Sequence, residues 1–198
     1  MPPILDKIRY SESGSLLYLT VRREGDIGLR AHTYRVSPDR YRSLGEPPVG
    51  APLDDTQLAA LAEADEIVEA TARALRLLSY GDNSANALLR KLRDRGVKRE
   101  AAETAVATML SRGYIREDEQ LARLVTTYAN AKLWGRRRIL AALANKGYTP
   151  DAIRAAITRA EETGEIDFTA LAEALIEDRL GQSPSREEKK KLLWKHGF

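Results

Sequence analysis

The sequence predicts a mainly α-helical protein of tandem three-helix repeats, stacked in an elongated, curved array and preceded by a small N-terminal β-hairpin or three-stranded element. Three observations lead to this prediction: a segment that recurs every 50 or 51 residues, apolar positions at helical spacing from Asp54 onward, and alternation with a period of two near the N-terminus. The composition agrees, because aromatic residues make up only 6% of the chain while Ala and Leu are abundant.

The first 50 residues carry the strand signals. Leu16–Val21 is a short β-prone run, and Ile27, Leu29 and Ala31 alternate with residues of the opposite face. Between them, Arg23–Asp26 supplies turn residues, so we predict a hairpin, to which Ile4–Arg9 adds a third strand. The Gly- and Pro-rich segment 45–52 predicts a linker that completes an N-terminal region of residues 1–50.

A short acidic helix is predicted at residues 51–63, after the linker. Asp54 and Gln57 have the spacing of a capping box, in which each side chain binds the backbone N–H of the other residue. Six acidic residues and no Lys or Arg occur from Asp54 to Glu69, whereas five basic residues and no acid occur from Lys132 to Lys146. This separation of charge indicates a polyanion or an acidic protein surface as the partner.

The repeat is clearest where its second helix ends. Leu92–Val97 matches Leu143–Tyr148 and Leu193–Phe198, each with a Gly followed by one apolar residue. Gly fits the end of a helix because that position often needs a left-handed backbone. We therefore predict repeat one at 64–113, repeat two at 114–163 and a truncated repeat three at 164–198. Thr149-Pro150 and the Ser185/Glu188 pair mark helix starts.

The residues give no sign of catalysis. The chain has no Cys, and its two His, His32 and His196, lack neighbouring carboxylates or a metal-binding spacing. Phosphate-binding and nucleophile-elbow motifs are missing from the sequence. We therefore expect neither an enzyme nor a bound cofactor or metal. The N-terminus lacks the order of a signal peptide, and no apolar run approaches the ~20 residues that span a bilayer, so we expect a cytoplasmic protein without membrane contact.

Each predicted second helix is basic, which is harder to attribute to solubility than one basic helix would be. Aligned on one face, these helices would form a stripe that binds acidic protein, nucleic-acid phosphate or both. Trp134 is the best candidate for an exposed aromatic contact, whereas Tyr80, Tyr114, Tyr128, Tyr148 and Trp194 are expected to be packing residues. The candidate partner-binding residues are Arg90, Lys91, Arg93, Trp134, Arg136, Arg137, Arg138, Lys146, Lys190 and Lys191.

Residues 65–198 resemble the RecX family. The segments Gly113–Ala122 and Gly135–Gly147 are similar to that family's Gly-Tyr-(Leu/Ile)-x-Asp-x-x-(Phe/Tyr)-Ala and Gly-x-x-(Arg/Lys)-Ile-x-x-x-Leu-x-x-Lys-Gly motifs. The chain departs from the first motif in having Leu121 in place of the aromatic residue and in having its Asp one position late. A third departure is at Gly81–Ser84, which keeps the Ser of the family's Arg-x-x-Ser segment but lacks the Arg. The family usually continues into a ninth helix beyond the position of Phe198.

The resemblance implies a regulator of the RecA recombinase. Members of the family lodge in the groove of RecA filaments on single-stranded DNA, bridge subunits, hinder filament growth or favour disassembly, and lower ATP hydrolysis and strand exchange. We accordingly expect a monomer that binds RecA and its filament, with weak direct DNA binding as an addition. The alternatives are a stand-alone DNA-binding repeat protein and a helical scaffold for an unrelated acidic protein.

Overall fold

In the computed structural model, residues 2–25, 28–181 and 183–198 are described. The N-terminal strands are β1 (Ile4–Tyr10), β2 (Leu17–Gly25) and β3 (Gly28–Val36), paired antiparallel in the order β1-β2-β3. The hairpin and its third strand are thus confirmed. The pairing continues to Gly25 opposite Gly28, so Arg23–Gly25 lie in a strand and their assignment to the turn was wrong. The predicted turn residue Asp26 and strand residue Ile27 lie outside the described residues.

A short helix, α1 (Pro38–Ser43), follows the sheet and was missed by the strand prediction for this region. Its signal is present in the sequence: the Ser37 side chain accepts a hydrogen bond from the Arg40 N–H, and Pro38 occupies the first helical position. The predicted linker then runs beside β1, where the Leu5 N–H donates to the Ala51 carbonyl at 3.0 Å and Ile4 bridges Pro52.

The rest of the described chain is helical, as predicted. The helices are α2 (Asp55–Ser79), α3 (Ala85–Arg93), α4 (Arg99–Ser111), α5 (Glu117–Thr126) with a π-helical turn (Thr127–Ala131), α6 (Arg136–Asn145), α7 (Pro150–Glu162), α8 (Phe168–Leu180) and α9 (Arg186–His196).

Helix α2 is continuous, whereas we predicted a short helix that ends at residue 63 and a repeat that begins at 64. The physical reason is that neither Gly nor Pro interrupts residues 55–79, and Ala, Leu and Glu favour helix throughout. The predicted capping box at its start is confirmed by reciprocal hydrogen bonds of 3.1 Å and 2.7 Å between Asp54 and Gln57.

The three repeated helix ends have the same backbone geometry. Gly96, Gly147 and Gly197 all have positive φ, at 78°, 92° and 88°. After each, the N–H of the apolar residue returns to the carbonyl of a Leu five residues earlier, with distances of 3.2, 3.2 and 3.0 Å. This is the 6→1 bond of the Schellman motif, which satisfies carbonyls that the helix leaves free. The predicted helix ends are confirmed.

The chain divides into two compact units: residues up to Leu77 with Lys91–Met109, and Leu78–Arg90 with Leu110–Phe198. In the first unit, buried leucines of the sheet, among them Leu5, Leu17 and Leu19, pack with Leu58 and Leu61 of α2. In the second, the core runs from Leu121 to Phe168 and includes Ile139, Leu143 and Ile153. Each unit therefore has its own apolar core.

Candidate partner-binding surface

The three consecutive arginines of α6 are positioned by the end of the chain. The Gly135 N–H donates to the His196 carbonyl at 2.8 Å, and the Arg137 N–H donates to the Gly197 carbonyl at 3.0 Å. Because the first N–H groups of a helix have no partner within it, the carbonyls at the end of α9 cap α6. The approach is close: a Cβ on Gly135 or on Gly197 would lie 2.4 Å from backbone atoms of the other segment.

Arg136 is held within the second unit by a carboxylate and a ring. Its Nε donates to Glu161 at 3.1 Å, and Nη2 donates to the other oxygen of the same carboxylate. Its guanidinium carbon lies 4.3 Å from the centroid of the Phe168 ring. A bidentate pair of this kind fixes the guanidinium and reduces the charge that it offers to a partner.

Arg137 supports the most exposed tryptophan. Its Nη2 donates to the Trp194 and Phe198 carbonyls at 3.2 and 3.1 Å, and its guanidinium lies 3.7 Å from the centroid of the Trp194 ring. The Trp194 side chain is nevertheless 71% exposed. A stacked guanidinium and indole present a flat cationic and aromatic surface.

Trp134 is half-buried, which corrects its prediction as the best exposed aromatic. Its ring lies 4.9 Å from that of Tyr128, and the charged groups of Lys132 and Arg138 lie 4.7 and 4.2 Å from its centroid. The backbone around it is unusual: a π-helical turn precedes it and Leu133 has a φ of +50°. Trp134 therefore packs on the core between two cations.

The remaining aromatic predictions divide. Tyr128 and Tyr148 are buried, as predicted, whereas Tyr80, Tyr114 and Trp194 are exposed and their prediction as packing residues was wrong. Trp194 occupies the repeat position of Arg93, which is also exposed, but the exposure of that position is known only from the structure. The position of these residues close to a Gly that ends a helix was misleading. Such a position places a residue near the end of a helix without determining on which side of the helix its side chain lies.

Lys190, Lys191 and Trp194 form what we call the α9 basic face. Residues three and four positions apart lie on the same side of a helix, so both lysines lie beside the indole, and all three side chains are exposed. With Arg137 stacked on Trp194, this face brings residues from two predicted second helices together. Lys189 lies about 140° away from Trp194 around the helix, at 100° per residue.

The other candidates lie on α3 and at the end of α6. Arg90 and Arg93 are exposed on α3, Lys91 is half-buried, and Lys146 is exposed where α6 ends. Within the second unit, the start of α3 meets the end of α6: Ser84 Oγ donates to the Lys146 carbonyl at 2.9 Å and Asn86 Nδ2 to the Gly147 carbonyl at 3.0 Å. Lys91 and Arg93 belong to the first unit.

His196 lies beneath this surface. Burial lowers the pKa of its imidazole, as do the charges of Arg138 and Lys195, while a hydrogen bond to the Leu133 backbone opposes the shift. Its hydrogen bond to the Leu133 backbone links it to the turn that carries Trp134. In the part of the chain that the structure describes, no cluster of His, Cys, Asp or Glu has the grouping of a metal site. Nor does any helix in these described ranges have the length and apolarity to cross a bilayer.

Comparison with known proteins identifies the family. Regulatory protein RecX from Xanthomonas campestris (strain B100) is 34% identical over 131 residues, which span 64% of this chain and 78% of that protein. The chain belongs to the RecX family. Regulatory protein RecX from Limosilactobacillus reuteri is 29% identical over 71% of this chain and 54% of its own length. No family profile matches the chain.

Solved RecX structures share the fold. A crystal structure of regulatory protein RecX superposes with a TM-score of 0.71 at 23% identity, covering 99% of this chain and 94% of that one. RecX from Lactobacillus salivarius superposes with a TM-score of 0.56 at 22% identity, covering 68% and 90%. The first comparison includes the N-terminal sheet, so a RecX structure contains a counterpart of nearly the whole chain. The mainly helical repeat fold predicted from the sequence is confirmed.

Proposed function

We propose that this RecX-family chain binds RecA and its filament on single-stranded DNA, and that it lowers RecA's ATP hydrolysis and strand exchange by binding alone. The observation that carries the proposal is the family membership, given by 34% identity to a regulatory protein across most of that protein's length. The repeat boundaries at 64–113, 114–163 and 164–198 and the ten candidate residues are part of the same proposal.

The basic second helices support a partner of opposite charge. The arginines of α6 have intramolecular partners at Glu161, Trp194 and Phe198, so much of their role is to hold the surface in shape. The α9 basic face is open to solvent and combines two lysines with an exposed indole. Aromatic residues and Arg are enriched at protein interfaces, and Trp, Tyr and Arg are enriched among the residues that carry most of the binding energy. We propose that this face makes the principal contact with the filament.

The test is RecA's ATP hydrolysis on single-stranded DNA, with this protein titrated against its cognate RecA. Inhibition at substoichiometric amounts is expected if the protein binds the filament and blocks its growth. Unchanged hydrolysis in the presence of folded protein would refute the proposal.

A paired variant locates the surface. The triple substitution Lys190→Glu, Lys191→Glu and Trp194→Ala should raise the concentration needed for half-inhibition by about tenfold or more, since it removes an anchor and reverses two charges. The control is Lys189→Glu, which makes the same kind of charge change on another face of α9 and should have a small effect. Charge reversal at Arg136–Arg138 is a poorer test, because it also removes the contacts to Glu161 and to the chain end.

One observation favours direct DNA binding as a second candidate function. The exposed Trp194, stacked on Arg137 and beside two lysines, has the composition of a base-stacking platform for single strands. Binding of oligothymidylate without RecA, weakened by Trp194→Ala and falling steeply with salt, would support this function. Salt-independent binding, or none, would exclude it.

A further inference from the structure

A groove in the second unit lies next to the arginines of α6 but has an apolar floor. Leu140 of α6 and Ile157 of α7 line it, with the exposed Thr158 at its wall, and its volume is about 430 Å³. That volume is in the range of sites that hold a small molecule or one large side chain. Leu140 remains partly exposed there, whereas Ile157 is buried.

The rim of the groove is mostly cationic. Arg136 and Arg137 line one side and Arg154 the other, against a single lining carboxylate, Glu161. Arg154 is exposed and is paired with Asp151 one turn earlier at 2.9 Å, an exposed i,i+3 contact that competes weakly with an incoming acid. Arg136 is already paired with Glu161, so Arg154 is the rim cation most open to an incoming acid.

We propose that this groove binds an acidic peptide segment that carries one large apolar side chain. The apolar side chain occupies the floor at Leu140 and Ile157, and a flanking carboxylate pairs with Arg154. The inference rests on the proposed function only for the source of the segment, a surface of RecA. The groove's preference for this chemistry follows from its own lining.

The lining discriminates between an acidic peptide and nucleic acid. A phosphate backbone gains nothing from an aliphatic floor, and Glu161 at the rim repels it. Among the described residues that line this groove, none has an aromatic ring to stack on a base. An acidic peptide uses both features, because burial of its apolar side chain adds to the charge pairing.

The experiment uses short fluorescein-labelled peptides and the full chain. One peptide has a single Phe flanked by Asp and Glu; the second replaces Phe with Gly, and the third replaces the acids with Asn and Gln. We expect the first to bind about tenfold more tightly than either of the others by fluorescence anisotropy at physiological salt. Equal binding of the Phe and Gly peptides would overturn the proposal, because it would show attraction by charge alone.

Two variants place the peptide in the groove. Thr158→Trp fills the groove from an exposed position without disturbing the core, and Arg154→Ala removes a rim cation; each should weaken the Phe peptide by at least about fivefold. The matched control is Arg159→Ala, which removes a charge from the same helix but lines a different cavity, against α5. Unchanged affinity in Thr158→Trp, with circular dichroism equal to that of the parent, would overturn the proposal.

The peptide assay and the RecA assay can fail separately. If the Thr158→Trp variant no longer inhibits RecA while the Arg159→Ala variant still does, the peptide segment is assigned to RecA. If the Phe peptide binds this groove while RecA hydrolysis is unaffected by the parent chain, the groove stands and the proposed function fails. If RecA is inhibited equally by the parent and by Thr158→Trp, the function stands and the assignment of the groove to RecA is overturned.

Discussion

Two junctions in the second unit solve the same capping problem with different chemistry. At the first, Gly147 ends α6 and meets the start of α3, where Ser84 Oγ accepts from the Ala87 N–H at 3.1 Å and donates to the Lys146 carbonyl. At the second, Gly197 ends α9 and meets the start of α6, where Gly135 provides no side chain and main-chain carbonyls accept the N–H groups. The two starts, Ser84 and Gly135, occupy corresponding positions 51 residues apart.

The two junctions differ in how well they can accommodate a side chain at the helix-ending glycine. At the first junction, a Cβ on Gly147 would meet Ser84 Oγ at 2.6 Å and the Ala87 N at 3.0 Å, so part of the obstruction is one removable oxygen atom. At the second, a Cβ on Gly197 would meet the Arg138 backbone N at 2.4 Å. Because backbone lies on both sides of this contact, no side-chain substitution can relieve the clash. The second junction should therefore tolerate substitution of its glycine less well than the first.

The largest expected effect is that of Gly197→Ala. It combines a strained φ of 88° with a backbone clash, and should lower the free energy of unfolding by about 3 kcal/mol or more, or release the chain end from α6. Urea unfolding measures the loss, and faster hydrogen exchange of the Gly135 and Arg137 amides identifies its place. Gly96→Ala is the control, since it has a similar φ of 78° but open space, and should cost about 1 kcal/mol. Equal losses would refute the clash.

Gly147→Ala should come next, at about 2–3 kcal/mol. The comparison is sharpened by adding Ser84→Ala to it. Because that second substitution removes the nearest clashing atom, the double variant should lose less stability than the sum of the single losses. Strict additivity would show that Ser84 Oγ is not the obstacle at this junction.

Ser84→Ala alone should cost about 1–2 kcal/mol, because it removes a helix cap and leaves the Lys146 carbonyl without its donor. Ser185→Ala is the comparison: Ser185 caps α9 in an exposed capping box, where its side chain bonds to the Glu188 N–H and carboxylate. Urea midpoints should show a larger loss for Ser84→Ala. A larger loss for Ser185→Ala would contradict the junction role.

The smallest effect concerns the residues after the two glycines. Tyr148 is buried, and its hydroxyl donates a hydrogen bond of 2.8 Å to the side chain of Gln120. Phe198 has no hydroxyl, and its ring centroid lies 6.3 Å from that of Phe168. Tyr148→Phe should cost about 1 kcal/mol at neutral pH.

The cost of Tyr148→Phe should depend on pH. Burial raises the pKa of Tyr148 to about 12 in the folded protein, against about 10 in an unfolded chain. A raised pKa gives stability that is complete below the unfolded value and is lost as the pH rises through the folded one. The parent should therefore lose stability from pH ~10 to ~12 that Tyr148→Phe retains. The exposed Tyr80→Phe is the matched control for removal of a tyrosine hydroxyl.

Much of the fold was readable because its signals are local. The capping boxes at Asp54 and Ser185, Pro150 after its cap and the glycines at the helix ends each depend on residues within one turn. Two elements had local signals that were not used: the Ser37 cap and Pro38 at the start of α1, and the lack of any Gly or Pro that would interrupt α2. The candidate surface could be predicted only in part. The spacing of Lys and Arg predicts which residues share one face of a helix, but not which other elements pack beside that face.

The sequence by itself determined the repeat, the left-handed glycines that end its second helices, the N-terminal strands and the similarity to RecX. Each follows from residue type at short spacing or from recurrence along the chain. The packing of the helices, and not the spacing of residues, makes Trp134 half-buried and Trp194 exposed. It also brings Arg137 into hydrogen-bond contact with the Trp194 carbonyl, 57 residues along the chain. The physical reason is that such contacts depend on how helices pack, and packing brings together residues that no spacing rule connects.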